Sequence, residues 1–217
     1  MAAGNKGMPL QTVILETAKL LAAAPQRDAN LASFCELLTG EMTERTTTIA
    51  APVLPVCRFW SVALGQAGTN VGSIADALSA LAPRLSWAQN PNYHRSPPSP
   101  DFLDNYGYAV LAGPADGPPP LARHDSLAFG VLLLGPRTHY PRHHHPAAEI
   151  YISLNAAEWW RGEGPWREEA PGAVIYHAPN VPHATRASQT PLLALYLWRG
   201  ELATHAQLTE NPTAMRG

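Results

Sequence analysis

At 217 residues, with 15% of them charged and a net charge of −2 when the histidines are neutral, the chain can bury a real core without covalent staples. It has no basic stripe or acidic tail, which argues against a nucleic-acid partner, and no stretch approaches the ~20 apolar residues of a membrane span. Two cysteines without metal spacing between them, Cys35 and Cys57, and a start lacking the basic-then-apolar layout of a signal peptide point to a soluble, cytoplasmic protein in a reducing compartment.

The first 86 residues read as helical. Pro9 suits a first helical turn, and Leu10, Val13, Ile14, Ala18 and Leu21 recur at helical spacing, so a helix is expected over 9–24, closed by Pro25. Leu31, Phe34, Cys35 and Leu38 repeat the pattern over 28–39, with Gly40 as the stop. TERTTTIAAPVLP reads as a connection. Val56, Phe59, Trp60 and Ala63 predict a third helix from Pro55 to Gly65. Ser73 is the expected cap of a fourth helix, which carries Ile74, Ala77, Leu78 and Leu81 and stops before Pro83.

The texture changes at Trp87. AQNPNYHRSPPSPDF is a proline-rich connection, a poor helix and a poor strand. Short β-like runs follow at 106–112, 126–134, 149–154, 158–161, 173–178 and 192–198, with Gly and Pro between them. That rhythm predicts an all-β sandwich or barrel. Two units are therefore expected: a helical segment over 1–86 and a β domain over 87–217.

The chemistry concentrates in HYPRHHHPAAEIY, residues 139–151, which holds four of the nine histidines. Residues two apart on a strand share a face, so His143 and His145 can aim together while the turn at Pro146-Ala147-Ala148 returns Glu149 to them. Tyr151 shares the face of Glu149. His183, in HAPNVPHAT, is the best further ligand, presented by the rigid Pro182. Neutral imidazoles with a carboxylate suit one divalent transition ion, whether zinc, iron(II), manganese, cobalt or nickel. An isolated His-His-His run can equally be a solvated surface; the combined pattern favours the metal. His144 should point away, and His139 and His177 read as loop or outer groups.

These residues also carry a resemblance. His143-x-His145-x3-Glu149, then Pro171-Gly172 and Pro179-x-x-Pro182-His183, resembles the two motifs of the cupins, although Gly135 lies farther upstream of His143 than in the usual first motif. Together Tyr140, His143, His145, Glu149, Tyr151, His183 and Trp198 resemble the cupin-type dimethylsulfoniopropionate lyases of marine bacteria, over residues 87 to 200. The resemblance implies a mainly β fold, a double-stranded β-helix barrel preceded by the N-terminal α-helical segment, and a homodimer. It implies cleavage of a small zwitterion, dimethylsulfoniopropionate, to dimethyl sulfide and acrylate.

The residues make physical sense of that reaction. A cation on the substrate carboxylate would stabilise the charge formed when the adjacent carbon loses a proton. A tyrosine of ordinary pKa about 10 becomes a usable base beside a metal; Tyr151 is the expected base, with Tyr140 the second candidate or a substrate-positioning group. A sulfonium offers no hydrogen-bond donor and is held by aromatic faces. Trp198 is the expected face by family position, and Trp159, Trp160, Trp166, Tyr106, Tyr108 and Tyr196 are possible additions to the pocket. Competing readings are an iron(II) cupin dioxygenase, which would need oxygen, a non-catalytic small-molecule-binding cupin, and a cupin isomerase or other hydro-lyase.

Overall fold

A computed structural model of the chain describes residues 8–24, 29–45 and 53–209. Pro25 and most of the threonine-rich connection lie outside those residues.

The helical layer comprises α1 (Pro9–Ala23), α2 (Ala29–Thr39), α3 (Trp60–Gly65) and α4 (Gly72–Leu81). Pro9 occupies the first turn of α1 as expected, where its missing N–H is no loss. Two boundaries differ from expectation. The run Pro55–Phe59 is a 3-10 turn that leads into α3. Ser73 is inside α4, whose N-cap is Val71 with no side-chain cap bond, because a preceding 3-10 turn at Thr69–Val71 starts the winding earlier. The proline-rich connection also holds a short helix, α5 (Pro91–Arg95), in place of irregular chain. Asn90 caps it by accepting from the Asn92 amide at 2.9 Å, and Pro91 fills its first position.

The strands are β1 (Thr43–Glu44), β2 (Trp87–Ala88), β3 (Tyr106–Gly113), β4 (Ala122–Arg123), β5 (Leu127–Leu134), β6 (His139–His144), β7 (Ala148–Ser153), β8 (Ala157–Arg161), β9 (Arg167–Glu169), β10 (Val174–His177), β11 (His183–Arg186), β12 (Leu192–Arg199) and β13 (Gln207–Leu208). They form an eight-stranded sheet in the order β1-β4-β3-β5-β12-β7-β10, with β2 added on β3, and a five-stranded sheet in the order β13-β6-β11-β8-β9. This is the mainly β, cupin-type barrel with helices before it that the sequence led us to expect.

Side-chain alternation divides the large sheet into two faces. Leu193, Leu195 and Leu197 of β12, Ile150 and Ile152 of β7, and Phe129 and Val131 of β5 pack outward into one apolar cluster with Leu10, Phe34, Ile74 and Leu78 of the helices. Asn155 pins the two layers: its amide donates to the Ala63 carbonyl at 2.9 Å, and its oxygen accepts from the Leu193 amide at 2.7 Å. The opposite face looks into the barrel and is aromatic, with Tyr106, Tyr151 and Tyr196 joining Tyr93, Phe102, Tyr140 and Trp159. Gly130 on β5 makes room there; a Cβ at that position would lie 2.6 Å from the Tyr196 hydroxyl. No helix among the described residues is long and apolar enough to cross a membrane.

Candidate metal centre and cavity

Glu149 sits near the start of β7, opposite Trp198 on β12 and opposite His177 on β10. Two residues on, Tyr151 faces Tyr196 across the same pair. All of these point into the barrel, so the large sheet supplies the carboxylate, the phenols and the indole. The other imidazoles come from the other side. His183 on β11 is opposite His143 on β6, and His145 lies in the turn between β6 and β7.

A bulge explains how β6 contributes two inward groups that plain alternation would separate. His183 pairs with His143 and Thr185 with Tyr140, so β6 spends one more residue than β11 over this interval. The extra residue, next to Pro141, turns Tyr140 onto the same face as His143. Their rings stack at 4.0 Å with 6° between planes. The loop before β11 is tied to the same place: Asn180, in the left-handed region at φ 61°, donates its backbone N–H to the His145 carbonyl at 2.9 Å. That contact brings His183 beside His145.

His145, Glu149 and His183 are buried and place their ligating atoms within 4.8 Å of one another. Nε2 of His145 and Nε2 of His183 each lie 3.0 Å from Glu149 Oε2. Each imidazole also donates its Nδ1–H to a backbone carbonyl, His145 to Ala147 at 3.0 Å and His183 to Val181 at 2.9 Å. Those bonds fix the tautomer and leave Nε2 as the nitrogen with a lone pair, as a metal site requires. The His183 Nε2 is buried yet not aligned to hydrogen bond anything. A buried carboxylate meeting two imidazole lone pairs suits a divalent cation between them, and the donor set fits zinc, iron(II), manganese, cobalt or nickel equally. Burial would raise the Glu149 carboxyl, but the neighbouring His145 and His183 hold it well below the usual carboxylate range.

His143, the fourth expected ligand, lies alongside this trio and outside the group whose atoms fall within 4.8 Å of one another. Its ring is 4.1 Å from that of His183 but 6.4 Å from that of His145. Its Nδ1–H goes to the Pro141 carbonyl at 2.8 Å, and Tyr140 covers one ring face, so the bulge that brings Tyr140 inward also sets the imidazole back.

The cavity next to the trio measures about 440 Å³ and is lined by Tyr106, Tyr108, Tyr140, Tyr151, Tyr196 and Trp198 together with Glu149. Its lining also includes Asp116, Asp125 and Glu201. Burial, then the Glu149 charge, raises Tyr151 well above an ordinary phenol. Burial, then neighbouring tyrosines, does the same to Tyr140. Trp159 belongs to the interior aromatic cluster but does not line the cavity. Trp160 lies under the Arg142 guanidinium at 4.2 Å, and Trp166 packs with His139 and Arg186. These three tryptophans are therefore removed from the expected pocket.

Two residues stand out that sequence reasoning missed or underrated. Tyr93 of α5 is fully buried and its hydroxyl lies 2.9 Å from that of Tyr140; the signal was the Asn90-Pro91 pair, a cap followed by a first-turn proline. His177, read as a loop or outer group, is a buried strand residue stacked 4.2 Å from His183 with both ring nitrogens unpartnered.

The chain is similar to several known proteins. The model of the dimethylsulfoniopropionate lyase family matches residues 28–194. The chain is 37% identical over 142 residues to the dimethylsulfoniopropionate lyase DddQ of Ruegeria pomeroyi, covering 65% of this chain and 68% of that protein. The crystal structure of DddQ from Ruegeria pomeroyi superposes with a TM-score of 0.73 at 30% identity, covering 94% of this chain and 97% of the other. A crystal structure from the lyases RdDddP and RnDddQII gives 0.74 at 26% identity, covering 93% and 98%. The chain belongs to the dimethylsulfoniopropionate lyase family of enzymes.

Proposed function

We propose that the chain cleaves dimethylsulfoniopropionate to dimethyl sulfide and acrylate by metal-dependent β-elimination. The observation that carries the reading is the buried His145–Glu149–His183 trio, whose Glu149 lines a cavity walled by tyrosines. A divalent ion held by those three residues, with His143 beside them, would supply positive charge that steadies the substrate carboxylate and lowers the pKa of a neighbouring phenol.

The chain's own groups do the rest. Tyr151 is protonated at neutral pH in the metal-free protein, since burial and Glu149 both hold its proton; it serves as base once a cation offsets Glu149. It takes the proton from the carbon next to the carboxylate, the freed electron pair forms the carbon–carbon double bond, and the carbon–sulfur bond breaks with its pair leaving on sulfur. Tyr140, held at its hydroxyl by Tyr93, positions the substrate across from Tyr151. The faces of Tyr106, Tyr108, Tyr196 and Trp198 receive the sulfonium, and the aromatic walls shield the carbanionic carbon.

The test is anaerobic incubation of purified, metal-loaded protein with dimethylsulfoniopropionate, with headspace dimethyl sulfide as the readout. Product above a metal-free control is expected without oxygen, which a dioxygenase could not deliver. No product above that control overturns the proposal. The same reading places the protein in the cytoplasm as a homodimer, checked by fractionation and by sedimentation of the purified protein.

A further inference from the structure

We infer that Trp198 is a positioning residue for the metal ligands Glu149 and His145, in addition to walling the cavity. The inference rests on the metal reading of the His145–Glu149–His183 trio. Trp198 and Glu149 are directly opposite on β12 and β7, and the indole Nε1–H donates to Glu149 Oε1 at 2.6 Å. Oε2 of the same carboxylate is the atom that the His145 and His183 Nε2 nitrogens approach at 3.0 Å. The two oxygens are thus divided: one is clamped by the indole and the other is presented to the imidazoles. The clamp fixes the rotation of the carboxylate, and a charge-assisted bond of this length is of the stronger kind.

The ring does a second task. It stacks on the His145 imidazole at 4.0 Å with 28° between planes. His145 is already held at Nδ1 by the Ala147 carbonyl, so the indole fixes the remaining freedom, the tilt of the ring plane. One indole therefore restrains two of the three ligands. Chance packing is a poor account of this, because the indole N–H groups of Trp60 and Trp159 are buried in the same fold and find no partner. Glu149 is fully buried, and without Trp198 its Oε1 would lose a buried donor.

A residue that only received the sulfonium would raise KM when replaced and leave metal affinity alone. The experiment measures zinc(II) affinity of the full-length protein by competition with a chelating dye, with the melting temperature of the metal-free protein as the check on folding. The wild type should bind one equivalent. Trp198→Phe, which keeps an aromatic ring but lacks the N–H, should bind zinc about 10- to 100-fold more weakly, the usual effect of losing such an outer partner. Incorporating benzothienylalanine at position 198 keeps the indole's shape without its N–H and should show the same loss, which covers the case of a Phe variant that folds poorly. Wild-type zinc affinity in both variants, even with KM raised, overturns the inference. A wild type that binds no divalent metal overturns the metal reading itself and takes this inference with it.

Discussion

The two faces of the large sheet are built from the same strands and differ in almost every other respect. On β12, Leu193, Leu195 and Leu197 point out to the helices, while Ala194, Tyr196 and Trp198 point in. On β7, Ile150 and Ile152 point out, and Glu149 and Tyr151 point in. The outer face is aliphatic and fully packed, which is what stabilises the fold. The inner face carries hydroxyls, an indole N–H, a carboxylate and a cavity, groups that cost desolvation unless they are partnered. One sheet thus separates stability from chemistry by a period of two residues, and substitutions one position apart should have different phenotypes.

The largest effect should come from the trio. Glu149→Gln should lower turnover by at least 1000-fold, an order-of-magnitude expectation for an electrostatic centre, while the melting temperature of the metal-free protein shows that it still folds. Activity within tenfold of wild type would remove Glu149 from the site. Tyr151→Phe comes next: kcat should fall about 100- to 10,000-fold, the usual worth of a general base, with zinc affinity retained. If turnover survives, the base role passes to Tyr140.

The outer face should behave in the opposite way. Leu195→Ala is expected to cost about 2–5 kcal/mol of stability in denaturant melts and leave kcat of the folded protein nearly unchanged. A large loss of kcat at full folding would blur the separation of the two faces.

The buried histidines predict a pH dependence of intermediate size. Burial first, then the neighbouring His183, holds both His143 and His177 well below an ordinary imidazole pKa. Below the unfolded value of about 6.5 the unfolded chain binds protons that the native state does not, so stability must rise with pH through that window and fall as it is acidified. Each group contributes a slope of at most about 1.4 kcal/mol per pH unit. His177→Phe should flatten the slope between pH 6.5 and 5 in the metal-free protein; an unchanged slope would show that His177 is protonated when folded. Smallest of all, Tyr93→Phe removes one hydroxyl from a ring still packed against Phe102, Tyr106 and Tyr140. It should lower kcat about fivefold with little change in KM, the rough size of one neutral hydrogen bond. A change confined to KM would assign Tyr140 to binding alone.

Much of this arrangement was legible in the sequence because apolar periodicity reports it directly. The runs in β3, β5, β7 and β12 stand out, as do the stripes of α1, α2 and α4. The HxHxxxE spacing located His145 and Glu149, and the proline before His183 marked its turn. What escaped has physical reasons. Strand β6 is polar and interrupted by Pro141, so it has no apolar signature, and its bulge reverses the facing of Tyr140. That reversal is also why His143, correctly placed on the inner face, sits beside the trio and not within it. The run at 173–178 marks strand β10, but nothing in it signals that His177 is buried. The Trp198–Glu149 bond joins residues 49 positions apart, and only the pairing register of β12 with β7 creates it.

The short helix α5 carries a last consequence. The side-chain amides of Asn90 and Asn92 both donate to the carbonyl of Ala206, at 2.9 and 3.0 Å, and the segment from Gly200 to Ala206 lines one side of the cavity. That wall is a piece of chain without regular structure, moored at the Ala206 oxygen and by strand β13, which follows it and pairs with β6. Shortening the protein after Arg199 would remove no candidate ligand and no tyrosine. It would instead let bulk solvent reach the reacting carbon, so a truncated chain could hold its ion and still fail as a catalyst because its chamber had lost a side.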